Sequence, residues 1–446
     1  MTIENDLGHD DIKKLVWRIA IPSMMAQFVS VLYSIVDRMY IGNIPVAGTF
    51  ALAGAGVCGP VVTMIGSVAF WVGIGGSPLM SMSLGQGNAK RAKQILANSF
   101  LLLAVASVLL MLLVYPFREP MLRFFGASDT TLPYADTYFS IYLSGTFFAL
   151  MATGMNQFII SQGFAKIGMY SVMLGAVLNI VLDPVFIFLL NMGVAGAALA
   201  TVLSQMASCI FVLSFLFGKR AIVRITFGNY NMRLMGRILV LGFTPFIIIA
   251  MDNVMIITMN SILQTYGGPQ EGDMLITCAT IVQSFMLVIT MPLGGITGGT
   301  QTILAFNYGA GNNDRVKSAQ KYIFLLGGIY TLILFILART SGSLFVRLFT
   351  SDAALAAESV RLIRVYTLAV VPLSIQYEIV DGFTGLGMVH LSLPLSFFRK
   401  GVYFLALFIL PYLGEARSVF YAEPISDIIS PAVSIVIYVI AMKKYL

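Results

Sequence analysis

The stretch Leu84-Gly85-Gln86-Gly87-Asn88-Ala89-Lys90-Arg91 returns later in the chain as Tyr308-Gly309-Ala310-Gly311-Asn312-Asn313-Asp314-Arg315, at a shift of 224 residues. The same shift carries Arg123 onto Arg347, Phe125 onto Phe349, Tyr142 onto Tyr366 and Gly163 onto Gly387. Near the start of each half, a shift of 223 carries Pro22 onto Pro245 and Asp37 onto Asn260. Chance could supply one such match. A register held over some 140 residues is the mark of a duplicated chain.

The segments around these repeats are apolar to a degree that soluble proteins do not reach. Of 446 residues, 58% are hydrophobic and 11% charged, where a soluble domain carries about 25% charged residues. Apolar runs of about 20 residues, the length a helix needs to cross roughly 30 Å of hydrocarbon, recur throughout. They place spans near 14–40, 50–82, 94–116, 132–161, 168–190, 194–217, 234–263, 274–306, 319–340, 356–383, 391–413 and 419–442. Twelve spans set both termini on one side of the membrane, with six in each half. Because six is even, both halves enter from the same side and are parallel repeats about the membrane normal. Secondary transporters commonly take this form, with substrate held between the halves; channels with duplicated halves also exist. The expected domains are lobes at 1–217 and 234–446, joined by a polar, basic linker at 218–233.

The basic residues orient the chain. Nineteen fall on the side of the N-terminus, among them Lys90, Arg91, Arg237, Arg399 and Lys400, against Arg118, Arg123, Arg339, Arg347 and Arg417 in the opposite loops. The positive-inside rule then makes both termini cytoplasmic, and the expected location is the plasma (inner) membrane. The net charge of +7 reports this topology and attraction to anionic lipid rather than a nucleic-acid partner. Residues 1–14 are polar and acidic-rich and the first apolar run is too long for a signal h-region, so no cleavable signal is expected. Cys58, Cys209 and Cys278 lie far apart in apolar runs and read as packing residues. His9 and His390 are the only histidines, and no G-x-S-x-G, H-E-x-x-H or G-x-x-x-x-G-K-S/T motif occurs. Neither an enzyme nor a cofactor is expected.

An ionised side chain in mid-membrane costs at least about 2.5–3.5 kcal/mol, so its default reading is functional. Asp37 ends the run Val31-Leu32-Tyr33-Ser34-Ile35-Val36-Asp37-Arg38, where the bland alternative is an interfacial pair with Arg38. Asp183, in Leu178-Asn179-Ile180-Val181-Leu182-Asp183-Pro184, has no base near it in sequence and shares a helix face with Asn179. Pro184 cannot donate a hydrogen bond and crowds the carbonyl of Ile180, so a kink would leave that carbonyl open beside a carboxylate. Two carboxylates, an amide oxygen and a hydroxyl such as Thr201 would suit a small hard cation such as Na⁺, with Asp37 and Asp183 as its ligands. The same carboxylates could hold protons, since burial and a like charge both favour the neutral form. Asp252, mid-span in helix seven, reads equally as a substrate contact or as a carboxyl bonded to a neighbouring helix. Glu378 and Asp381 fall toward a helix end, where a solvated role is expected.

With these residues on the page, the chain resembles the multidrug and toxic compound extrusion (MATE) transporters, of the bacterial branch, along nearly its whole length. The resemblance is carried by Ile21-Pro22, Asp37, Gly85-Gln86-Gly87-Asn88, the Leu178–Pro184 run and Gly193-Val194-Ala195-Gly196-Ala197-Ala198-Leu199-Ala200-Thr201. It implies an all-α membrane protein of twelve helices, in two pseudo-symmetric six-helix lobes forming a V around a central cavity. It also implies an antiporter exporting bulky organic cations against inward Na⁺ or H⁺. By resemblance, Asp37, Asn179, Asp183 and Thr201 form the ion- or proton-coupling site, with Asn156 as a further member. Tyr33, Asp252 and Asn260 are carried as cavity or secondary positions. The Gln376–Asp381 run does not match the helix-ten acids on which some members depend.

The expected function is therefore cation-coupled drug antiport by a monomer, with polar chemistry concentrated in the first half. A lipid-linked precursor flippase of the same superfamily is the alternative. It would call for more intramembrane bases than Arg361 and Arg364 near helix ten. A cation channel would call for a filter motif, and none is apparent.

Overall fold

The computed structural model describes residues 5–44, 48–350 and 352–445. Six spans make the first lobe: α1 (Ile12–Gly42), α2 (Gly48–Gly85), α3 (Ala89–Val114), α4 (Leu132–Ser144 and Thr146–Ile160), α5 (Ala165–Pro184) and α6 (Gly193–Phe217). Six make the second: α7 (Met232–Gly267), α8 (Asp273–Gly309), α9 (Asn313–Thr340), α10 (Ala353–Tyr366 and Val370–Gly385), α11 (Val389–Leu413) and α12 (Ala422–Tyr445). The two halves of α4 meet at a bend of 56°. Short helices at Arg118–Phe124 and Gly342–Val346 occupy the same place in each repeat. Leu7 and Tyr445, close to the two ends of the described chain, pack in one cluster, and the face on which they lie is called the near face below.

The repeated motif is the corner at which α2 turns into α3, and α8 into α9. Gly87 and Gly311 take positive φ values of 71° and 76°, a region that penalises a Cβ. Asn88 and Asn312 then start the following helix, with their N–H groups bonded back to Ser83 and Asn307 carbonyls at 2.8 Å. In the first copy, the Asn88 side chain also accepts from Arg91 N at 3.0 Å, an N-cap.

The lobes meet on the near side. A Cβ on Gly75 would collide with the Ile238 carbonyl, and one on Gly242 with the Trp71 carbonyl. Trp71 Nε1 donates to Leu239 O at 2.7 Å, and its ring stacks on Phe246 at 4.4 Å. Gly85 abuts the Phe306 carbonyl and Gly309 abuts the Met82 carbonyl. Residue 82 maps onto 306 and 85 onto 309 by the same shift of 224, so a pseudo-twofold axis passes between α2 and α8 here. All these positions lie within fourteen residues, about 21 Å of helix, of the near-face ends. In the far halves each lobe packs a core of its own, and the V opens on the far face.

The N-terminal segment closes the near side further. Leu7 is buried in a third core with Leu15, Val16 and Ile19 of α1 and Ile303, Val316 and Phe383 of the second lobe. Asn5 Nδ2 donates to Gly163 O of the first lobe at 2.7 Å. From the second lobe, Asn307 Nδ2 donates to Leu7 O at 2.9 Å and Arg315 donates to Asp10 O at 2.8 Å.

Two bases are not where their charge suggested. Arg399 and Lys400, counted with the near-side bases, are buried inside α11, more than two turns past its start at Val389. Their charges are matched by acids within the lobe, which is why the bilayer tolerates them.

Candidate functional site

In the first lobe, Asn179 and Asp183 stand one turn apart on α5. Asn179 Nδ2 donates to Asp183 Oδ1 at 3.3 Å and to Thr201 Oγ1 of α6 at 3.4 Å. Thr201 in turn donates to the Ala197 carbonyl at 3.0 Å. Asp37, near the far end of α1, faces Asp183 directly. Regular helix stops at Pro184 and continues as a wider π turn over Val185–Leu189, so the backbone loosens beside the carboxylate. Arg38, next to Asp37 in the chain, is exposed.

One oxygen on each of Asp37, Asn179 and Asp183 is buried without a hydrogen-bond partner among the described residues. The large majority of buried side-chain polar atoms are bonded. Three unbonded acceptors on facing residues make a donor set for a proton or a small cation. Hydrogen bonds of Asn179 to both Asp183 and Thr201 hold that set in place.

The bend at Gly145 turns the first half of α4 toward this group. Tyr138 lies beside Asp37 and Thr201, while Tyr142 lies beside Tyr33 and Gln205. Tyr33, carried from the sequence as a cavity or secondary position, lies one turn before Asp37 and beside it. Tyr138, Tyr142 and Gln205 were not foreseen. Gln205 follows Thr201 by four residues, the same spacing that drew attention to Asn179 and Asp183; the tyrosines carried no such signal.

Asn156 is not brought to this group. Its Oδ1 accepts from Ser171 Oγ at 3.1 Å, and Ser171 lies twelve residues before Asp183, about 18 Å along α5.

The second lobe holds more buried charge than the first, which overturns the expectation of polar chemistry concentrated in the first half. Arg399 donates from Nη2 to Glu423 Oε1 at 2.6 Å and from Nε to Asp427 Oδ1 at 2.9 Å. Tyr366 donates to the other Glu423 oxygen at 3.4 Å, and Ser426 Oγ donates to the Arg399 carbonyl at 2.8 Å. Lys400 pairs with Asp252 of α7. Sequence reading passed over Glu423 and Asp427 because they fall close to the expected start of the last span, where acids are usually solvated.

Glu378 and Asp381 also depart from expectation. Glu378 is 3% exposed, and its Oε1 has no hydrogen-bond partner among the described residues. Asp381 accepts from Thr297 of α8. Neither is a solvated helix end, because α10 continues to Gly385 and packs against α8, α9 and α12. Asn260 sits two turns beyond Asp252 on α7 and has no side-chain hydrogen-bond partner among the described residues.

Similarity to known proteins follows the same two halves. The MatE family model matches residues 22–185 and again 247–409. "Multidrug export protein MepA" of Staphylococcus aureus is 24% identical over 346 residues, 77% of this chain and 74% of that one. The protein of that name from Staphylococcus haemolyticus is 23% identical over 343 residues, 76% and 74% of the two chains. Among solved structures, an outward-facing multidrug resistance MATE transporter of the MOP superfamily superposes with a TM-score of 0.92, at 23% identity and 98% coverage of each chain. A MOP superfamily transporter from Pyrococcus furiosus, described as having a binding pocket of reverse polarity, gives a TM-score of 0.91 at 24% identity, with 98% coverage of both chains. Those structures share the fold, and the family model covers most of both lobes: the chain belongs to the MATE family.

Proposed function

We propose that the protein is a secondary active antiporter that exports organic, mostly cationic and amphiphilic, drugs or toxins in exchange for Na⁺ or H⁺. The observation that supports this most is the acid pair of the first lobe. Asp37 and Asp183 face each other with unbonded oxygens, and two like charges at such range call for a proton or a cation between them. Thr201 and Asn179 supply neutral oxygens to the same group.

With the near face cytoplasmic and the protein in the plasma (inner) membrane, the V is open to the outside, the state in which the coupling ion would enter. Ion binding drives the cycle only through differential affinity for the two states. Tyr138, held beside Asp37 by the bend of α4, would relay occupancy at the acid pair to the cavity wall. Relatives named as multidrug export proteins support the substrate class. Arg399 and Lys400 do place bases inside the bilayer, as a flippase for lipid-linked pyrophosphates would need. Asp252, Glu423 and Asp427 offset them, which keeps drug export ahead.

The test is dye efflux from proteoliposomes under separately imposed Na⁺ and pH gradients. One gradient is expected to drive efflux by the wild type, and Asp183→Asn is expected to abolish it while remaining folded in the membrane. Full gradient-driven efflux by Asp183→Asn would sink the proposal.

A further inference from the structure

The pair formed by Lys400 and Asp252 has an asymmetry that a structural ion pair does not need. The Lys400 side chain is 4% exposed, whereas that of Asp252 is 48% exposed. Hydrocarbon could not solvate a half-exposed carboxylate well inside the bilayer, so the free side of Asp252 opens on the cavity. Lys400 reaches it from behind, out of the lobe interior. Its neighbour in sequence, Arg399, points to α12 and is fully engaged by Glu423 and Asp427.

Lys400 also has somewhere else to go. It lies within the field of Asp427, whose Oδ2 is buried and has no hydrogen-bond partner among the described residues. With every group ionised, Asp252, Glu423 and Asp427 set three negative charges against the two positive charges of Arg399 and Lys400. The cluster is short of one positive charge. Tyr366, Tyr377 and Tyr403 surround it as neutral neighbours. Asp381, from α10, is turned toward Thr297 instead.

We propose that Lys400 is a tethered cation that occupies the cation-binding position at Asp252 and yields it to substrate, its ammonium moving back toward Asp427. Lys400 is then a specificity-determining residue. A monovalent organic cation at Asp252 completes the charge of the cluster, and a neutral molecule has no means of displacing the ammonium. The resident lysine also limits affinity, since each substrate must compete with it, and weak retention favours release. This inference rests on the export of organic cations proposed above.

The experiment is binding of ethidium, a monovalent cationic dye, to the purified full chain in lipid nanodiscs, with a neutral dye of similar size as control. The Lys400→Met variant keeps the stem of the side chain and removes its charge. It is expected to bind ethidium up to about fivefold more tightly, the scale of one lost competing charge at a part-exposed site, with the neutral dye unchanged. The Lys400→Met/Asp252→Asn double variant should lose that gain, and Lys400→Arg should bind as the wild type does. A monodisperse size-exclusion profile for the double variant shows that the lobe folds without the pair.

Equal ethidium affinity in wild type and Lys400→Met, or a gain shared by the neutral dye, would overturn the proposal. If the wild type extrudes ethidium from proteoliposomes in either case, the reading of Lys400 fails alone. If the wild type neither binds nor moves ethidium, the proposed function fails with it.

Discussion

The two lobes are copies in backbone and opposites in electrostatics. In the first, Asp37 and Asp183 face each other with amide and hydroxyl groups around them and with orphaned oxygens. In the second, each acid around α11 is tied to a base: Arg399 to Glu423 and Asp427, and Lys400 to Asp252. A buried charge in low dielectric has to be neutralised. Around α11 the second lobe does so with covalently attached cations, two bases against three acids, while Glu378 of α10 stays unpaired among the described residues. The first has left the task to something that comes and goes. Duplication supplied one scaffold, and divergence of a few side chains made one copy permanently charged and the other loadable.

Removing a charge should therefore have opposite consequences in the two lobes. The largest effect is expected for Arg399→Ala, which strands two buried carboxylates. Breaking such a pair costs about 3–5 kcal/mol, read as loss of the thermal unfolding transition or of folded protein on extraction. Were Arg399→Ala to unfold like the wild type, the second lobe would not depend on its fixed charges.

Asp37→Asn should spare the fold and stop the work. Replacing one member of a like-charged pair relieves repulsion, so thermal stability is expected to hold or rise slightly, while gradient-driven dye efflux falls to the protein-free rate. A variant of Asp37 that is unstable, or that still couples, would remove the contrast between the lobes.

A smaller and symmetric effect is expected where the lobes are still alike. Gly85→Ala and Gly309→Ala each place a methyl group against a backbone carbonyl of the other repeat. Each should shift the population away from near-face closure by a similar amount, on the order of 1–3 kcal/mol for an overpacked contact. Spin-label distances across the near face would report it. Strongly unequal shifts would place the divergence of the lobes in the closing contact as well as in the charges.

The sequence carried the scaffold because lipid leaves few alternatives. Apolar runs long enough to cross the bilayer mark the spans, and the Gly-x-Gly-Asn corners at Gly87 and Gly311 mark the register. It carried the Asn179–Asp183 group as well, since four residues on one helix need no tertiary knowledge. It did not carry the burial of Arg399 and Lys400: both fall inside the expected 391–413 span, but the acids that hold them come from α7 and α12, and only packing brings those helices to α11. Asn156 failed for a related reason. Nothing in the sequence states how far α4 is shifted along α5, and that shift sends Asn156 to Ser171. Tyr138 and Tyr142 depend on a bend whose direction only packing decides.

The N-terminal segment adds a matter of timing. Asn5, Leu7 and Asp10 are synthesised before α1, but the partners of Leu7 and Asp10 are Asn307 and Arg315, some 300 residues later. Until the second lobe is inserted, Leu7 has no pocket and the near face no seal. Assembly of the membrane protein must therefore return to a segment that precedes the first span, and the seating of this short segment records that both halves have arrived.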